Sequence, residues 1–122
     1  MSVSLTEDAV VARTKTVTRR LGWRMLKEGD RLTLCRKVMG RRQADGTVEP
    51  LVRLAEVVVT TVIREPLSVI TPSDVVAEGF PDFTPADFIR FFCATHKGCR
   101  YDTTVTRIEW RYLDDEQETS HG

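Results

Sequence analysis

The chain has 122 residues, 41% of them hydrophobic and 30% charged, and its 18 basic and 18 acidic side chains cancel to no net charge. That length suits one soluble domain with its own core rather than two, and no run approaches the roughly 20 apolar residues of a membrane-spanning helix. The opening MSVSLTEDAVV has neither a basic stretch nor a long apolar one, and Cys35, Cys93 and Cys99 are odd in number, so the expectation is an intracellular, cytoplasmic protein with reduced thiols and no disulfide framework.

In chain order, LTEDAVVAR predicts a short helix capped by Thr6, with Glu7 and Asp8 in the first turn, where the helix dipole favours negative charge. TKTVTRR then leaves helical chemistry: Thr14, Thr16, Val17 and Thr18 are β-branched, which predicts an extended segment or a tight loop. It is too polar for an ordinary buried strand and looks built to touch something. In LKEGDRLTLCRKV, a turn at Gly29 and Asp30 precedes an alternation of Leu32 and Leu34 with Arg31, Thr33 and Cys35, the pattern of a half-buried strand. Asp45 and Gly46 in RRQADGTVEP supply the positive-φ positions of a hairpin connection.

The run LVRLAEVVVTTVIREPL, residues 51 to 67, is the longest β-branched stretch and predicts a central strand, the spine of a sheet. Two helix entrances share one grammar. In TPSD and TPAD, Thr71 and Thr84 stand at the N-cap, Pro72 and Pro85 at the first helical position, and Asp74 and Asp87 at the third. Gly79 stops the first after about two turns. The second carries Phe88, Ile89, Phe91 and Phe92 and reads as a buried core helix rather than a base-stacking site. TVTRIEWRYL alternates Thr106, Ile108, Trp110 and Tyr112 with Arg107, Glu109 and Arg111, a last strand. DDEQETSHG, residues 114 to 122, predicts a charged, disordered tail behind a single domain over residues 1 to 113. Strands and short helices in this order, without βαβ alternation or a glycine-rich phosphate loop, predict an α+β domain on a small, mostly antiparallel sheet or barrel.

Net neutrality hides a polarity. Residues 1 to 60 hold 12 basic and 7 acidic side chains, and residues 61 to 122 hold 6 and 11. Between Arg13 and Arg42 there are 11 basic residues against only Glu28 and Asp30. Such a concentration suits a phosphate-bearing partner, because Lys and Arg gain by displacing counterions from a polyanion; pairing with the acidic second half is the other reading. CATHKGC spaces Cys93, His96 and Cys99 as three zinc ligands could be spaced, but a structural site wants a fourth, for which only Cys35 or His121 remains. A helix end followed by a loop is the preferred reading, with no metal and no cofactor.

KTVTRR at 15 to 20, Trp23, LKEGDRL at 26 to 32, EPLSVIT at 65 to 71, EGF at 78 to 80 and VTRIEWRYL at 105 to 113 together resemble the ASCH domain family, particularly its small single-domain bacteriophage members. The resemblance implies a PUA-like fold, a small, mostly antiparallel β-barrel with short flanking helices and a cleft associated with RNA or nucleoside binding. For ASCH enzymes that deacylate N4-acetylcytidine, it implies a catalytic set of Lys15, Thr18 and Glu78. A free lysine, with a pKa of about 10.4, is a poor nucleophile or base at neutral pH, and desolvation or the neighbouring Arg19 and Arg20 would have to lower it. On a regular strand residues 15 and 18 face opposite sides, so the set also requires a turn or bulge between them.

The alternative for Lys15 and Glu78 is a buried structural ion pair beside a threonine turn. Arg19 and Arg20 are expected on phosphate or backbone carbonyls, Thr16 beside them on the ligand, and Trp23 either stacked on a base or capping the core. The leading expectation is therefore a domain that recognises RNA or a modified nucleoside through a basic cleft of Lys15, Thr16, Arg19, Arg20 and Trp23. An amidohydrolase acting on acylated cytidine stands second, ahead of a ribonuclease, and a phage protein that binds a host factor is the third class.

Overall fold

A computed structural model describes residues 1–36 and 52–113. Helix α1 (Glu7–Val11), entered from a 3-10 turn at Ser4–Thr6, leads into strand β1 (Val17–Arg20), and β2 (Arg31–Arg36) follows. The long β3 (Val52–Pro66) passes through a second 3-10 turn into helices α2 (Pro72–Ala77) and α3 (Pro85–Thr95), and β4 (Thr104–Tyr112) closes the order. The four strands form one curled antiparallel sheet, a half-barrel, in the order β1-β4-β3-β2. β3 is an inner strand, as its β-branched run predicts, and β4 lies inside beside it. The Asp45 and Gly46 turn and the tail from residue 114 lie outside the described residues.

The apolar side chains fall into two clusters. Val10, Leu34, Val57, Val59, Ile108, Trp110 and Tyr112 pack α1 against the sheet. Leu67, Ile70, Val75, Phe88, Phe92 and Val105 pack α2 and α3 against its other part. Phe88 and Phe92 thus fill the core as their spacing predicts, while Phe91 is only half-buried. Among the described residues no helix is long and apolar enough to cross a membrane.

The two helix entrances diverge. At α3, Thr84 Oγ1 accepts from the Asp87 backbone N–H at 3.1 Å and Asp87 accepts from the Thr84 N–H at 3.0 Å, a reciprocal capping box. At α2, Thr71 Oγ1 accepts from the Asp74 N–H at 3.2 Å, but the Asp74 carboxylate turns towards the sheet. The predicted Thr6 cap does not form: the chain enters α1 from the 3-10 turn, and the Thr6 hydroxyl faces back to the Val3 carbonyl at 3.5 Å.

Gly79, directly after α2, has φ +102°, and a Cβ there would meet Thr6 Cγ2 at 3.0 Å and Ala9 Cβ at 3.2 Å. Only glycine lets the end of α2 lie against the start of α1 with this backbone. That close approach brings Glu78 next to the segment before β1.

Candidate functional site

β1 is buried although it is polar: Val17, Thr18 and Arg19 are all nearly inaccessible. An isolated buried charge is strongly unfavourable, so each must be paired. Arg19 lies directly across from Arg107 of β4 in the strand register, where like charges would repel. Asp74 removes the conflict. Arg107 donates from Nε at 2.9 Å and from NH2 at 3.1 Å to its carboxylate, and Arg19 NH2 donates to it as well. The Arg107 hydrogen bonds, and after them those of Arg19, hold the Asp74 carboxyl down at about 2, against the opposing effect of burial. Arg107 in turn is held above its ordinary range, first by its hydrogen bonds to Asp74.

Arg19 also donates from NH1 to Glu78 Oε2 at 3.1 Å. On the other side of that carboxylate, Lys15 Nζ donates to the Glu78 carbonyl oxygen at 2.6 Å and lies 3.4 Å from Oε1. Lys15 is 2% exposed and Glu78 3%. The Lys15 backbone is fixed from below, because its carbonyl accepts from Trp110 Nε1 at 3.1 Å and from the Tyr112 hydroxyl at 2.5 Å. Burial, first of all, lowers the Lys15 pKa; Arg20 and Arg19 push the same way and Glu78 opposes them. The charges of Arg19 and Arg20 therefore act in the direction their sequence positions imply, and desolvation outweighs both.

These residues open on a cavity of about 480 Å³. Lys15, Thr18, Arg19, Arg20 and Glu78 line its polar side, and Phe80, Phe88, Phe91 and Phe92 its aromatic side. Ser2 to Thr6 form one rim, and Thr95 and His96 at the end of α3 form another. Phe80 stacks on Phe83 at 4.9 Å and meets Phe91 at 5.3 Å between centroids, so this wall is held by ring packing. The turn lies earlier than expected, at Ala12 and Arg13; Lys15 sits in the irregular segment before β1, which begins at Val17, and both Lys15 and Thr18 line the same cavity.

Not every expected residue enters it. Thr16 is not among the lining residues; its backbone N–H donates to Ala77 O at 2.9 Å and its carbonyl accepts from Trp110 N–H at 3.0 Å, so it splices α2 to β4. Trp23 lies outside the cavity, 40% exposed at φ +58°, and belongs to neither core cluster. Arg20 reaches a backbone carbonyl, Ser2 O at 2.7 Å, and donates from Nε to Thr18 Oγ1 at 3.2 Å. Arg19 takes carboxylates rather than phosphate or carbonyls, so part of the basic first half is neutralised by the acidic second half. Among the described residues, Arg19 Nε is the buried side-chain polar atom without a partner.

Sequence reasoning gave Asp74 only a helix-start role and missed Arg107, Phe80, Thr95 and the N-terminal rim. Phe80 sits in the EGF block, whose Gly79 already marks a close approach. For His96 the sequence suggests a zinc ligand or, by preference, a helix end followed by a loop, and gives no sign of a place at the cavity. In the structure its ring stacks on Phe92 at 4.0 Å and its Nδ1 donates to the Phe92 carbonyl at 2.8 Å, and among the described residues no three metal-ligating side chains converge.

No protein-family model matches the chain, and no curated protein matches it significantly. Solved structures do. A protein from Enterococcus faecalis assigned to the family DUF984 superposes at a TM-score of 0.54 with 16% identity, over 92% of this chain and 71% of the other. An ASCH domain from Lactobacillus crispatus superposes at 0.51 with 12% identity, over 89% of this chain and 70% of the other. With its half-barrel and short helices, the chain has an α+β fold similar to that of the ASCH domain structure.

Proposed function

We propose that the cavity binds a single nucleoside, as one residue of an RNA strand or as a free modified nucleoside. The observation that carries this reading is the division of a cavity of about 480 Å³ into an aromatic wall and a polar wall whose Lys15 and Arg19 are already paired with carboxylates. That volume lies in the range of small-molecule sites. The pairing of Lys15 and Arg19 with carboxylates favours a ligand whose part inserted there is neutral, such as a base, over a bare phosphate. Phe91 and Phe80 offer ring faces, Thr18 and Glu78 offer hydrogen-bonding edges, and the unpartnered Arg19 Nε–H calls for an acceptor such as a base carbonyl.

A second reading is favoured by Lys15 specifically. A buried lysine with a lowered pKa, in contact with a carboxylate, suits amide hydrolysis of an N4-acylated cytidine. Lys15 in its neutral form takes a proton from water as that water attacks the acyl carbonyl, the Thr18 hydroxyl orients that carbonyl, and Glu78 carries the proton to the departing exocyclic amine. Atoms balance as acyl amide plus water giving cytidine and a carboxylic acid.

The test is calorimetric binding of cytidine and N4-acetylcytidine at low and high salt, followed by a time course for release of cytidine. Saturable binding that changes little with salt supports the nucleoside pocket, and cytidine release lost in Lys15→Ala supports the hydrolase. Affinity only for RNA, falling steeply with salt and unaffected by Arg20→Ala, would overturn the pocket reading.

A further inference from the structure

Cys93 lies near the end of α3 and Cys99 six residues later, and between them are two rim residues of the cavity, Thr95 and His96. The two sulfurs are 3.7 Å apart, both residues are partly accessible, and both are free. The loop that brings them together is a tight return: Gly98 has φ +78°, and the Cys99 N–H donates to the His96 carbonyl at 3.1 Å. A disulfide needs its sulfurs at about 2.05 Å, a short closure from 3.7 Å for side chains already facing each other. Cys35 is apart from this pair; its thiol donates to the Met1 carbonyl at 3.3 Å.

We propose that Cys93 and Cys99 are a reversible dithiol pair whose oxidation to a disulfide locks the Thr95 and His96 rim of the cavity. In this scheme Cys99, whose thiol donates to the Arg100 carbonyl at 3.7 Å, meets the oxidant, and Cys93, whose thiol faces the Cys99 sulfur, is the resolving thiol. With a peroxide, Cys99 attacks the O–O bond, becoming a sulfenic acid and releasing hydroxide that takes up the thiol proton as water. Cys93 then attacks the sulfenic sulfur, its proton leaving with the hydroxyl as a second water. Two thiols lose two electrons and the peroxide gains them; a dithiol reductant reverses the change. Burial raises the pKa of Cys93, consistent with its staying protonated until the second step.

The closed ring contains both rim residues, and the reduced geometry already holds them at the cavity. Drawing the sulfurs together from 3.7 Å shifts and restrains the Thr95 and His96 rim, and a wall restrained before binding lowers the ordering cost of the ligand. The effect on affinity rests on the nucleoside reading; the dithiol chemistry does not. Oxidised protein should bind cytidine about 3- to 10-fold more tightly than reduced protein.

The experiment treats the full chain with stoichiometric hydrogen peroxide and follows intact mass, alkylation and the His96 ring resonances. The background is His121→Gln, which leaves His96 as the only histidine. Expected are loss of the mass of two hydrogens, a Cys93 to Cys99 linked peptide with Cys35 still alkylated, a reversible shift of the His96 signals, and none of these in Cys99→Ser. Oxygen addition without linkage, or linkage through Cys35, would overturn the pair. A disulfide that leaves the His96 signals unmoved would overturn its action on the rim. If the disulfide forms and the signals shift but neither redox form binds cytidine, the nucleoside reading fails while the dithiol stands.

Discussion

Lys15 and Glu78, 63 positions apart, meet where Nζ donates to the Glu78 carbonyl at 2.6 Å and faces its carboxylate at 3.4 Å, both side chains nearly inaccessible. The contact joins the entry to β1 with the exit of α2, so its loss should be felt in stability as well as in the cavity. Lys15→Ala leaves the buried carboxylate with Arg19 alone and should cost about 2 to 3 kcal/mol in urea unfolding. Because the partners share one interaction, Lys15→Met with Glu78→Gln should cost less than the sum of the two single changes by about 1 kcal/mol. Strict additivity in that cycle would mean that the pair does not act as a unit.

Gly79→Ala combines a strained φ with a collision against Thr6 and Ala9. We expect a loss of about 1 to 3 kcal/mol by thermal unfolding. Gly98→Ala also falls at positive φ but has open space around it, and should cost less. Equal losses would show that packing against α1 contributes nothing.

Acid should loosen the tether between α2 and the sheet in a definite window. The Asp74 carboxyl titrates at about 2 in the folded protein against an ordinary 3.8, so its contribution is complete above about pH 4 and fades as pH falls towards 2. After allowance for solvent screening, this single group accounts for about 1 kcal/mol. Asp74→Asn should flatten that part of the stability curve against pH, which chemical denaturation at several pH values measures directly.

If Lys15 acts in its neutral form, turnover of N4-acetylcytidine should rise with pH, and the midpoint should lie below 10.5 because burial disfavours the charged ammonium. Arg20 pushes the same way, so Arg20→Gln should move the midpoint upward. The pH profile of kcat for both proteins decides this; a midpoint that stays in place would exclude electrostatic control by Arg20.

Arg20 is also the cavity cation whose hydrogen-bond partners are neutral, Thr18 Oγ1 and Ser2 O. Arg20→Ala should weaken nucleoside binding about 10-fold, the scale of one charge-assisted hydrogen bond, with the fold intact by circular dichroism. Unchanged affinity would confine Arg20 to holding the N-terminal rim.

The long β-branched run of β3, the period-two alternation of β4, the threonine-proline entrances of α2 and α3 and the glycine stop at position 79 were legible in the sequence, because each is set by neighbours within a few residues. Burial of β1 was not, since a strand written Val-Thr-Arg-Arg looks exposed until its partners are known. Asp74 looked like a capping residue for the same reason: its sequence context matches that of Asp87, and only the opposed Arg19 and Arg107 draw its carboxylate to the sheet. The sequence by itself determined the order of elements and named Lys15, Thr18, Arg19, Arg20 and Glu78, all of which line one cavity. The tertiary structure decided which of those charges are already neutralised, left Thr16 and Trp23 outside, and added Phe80, Thr95 and His96. Electrostatic pairing and desolvation depend on groups tens of residues apart in the chain, and only folding brings those groups into contact.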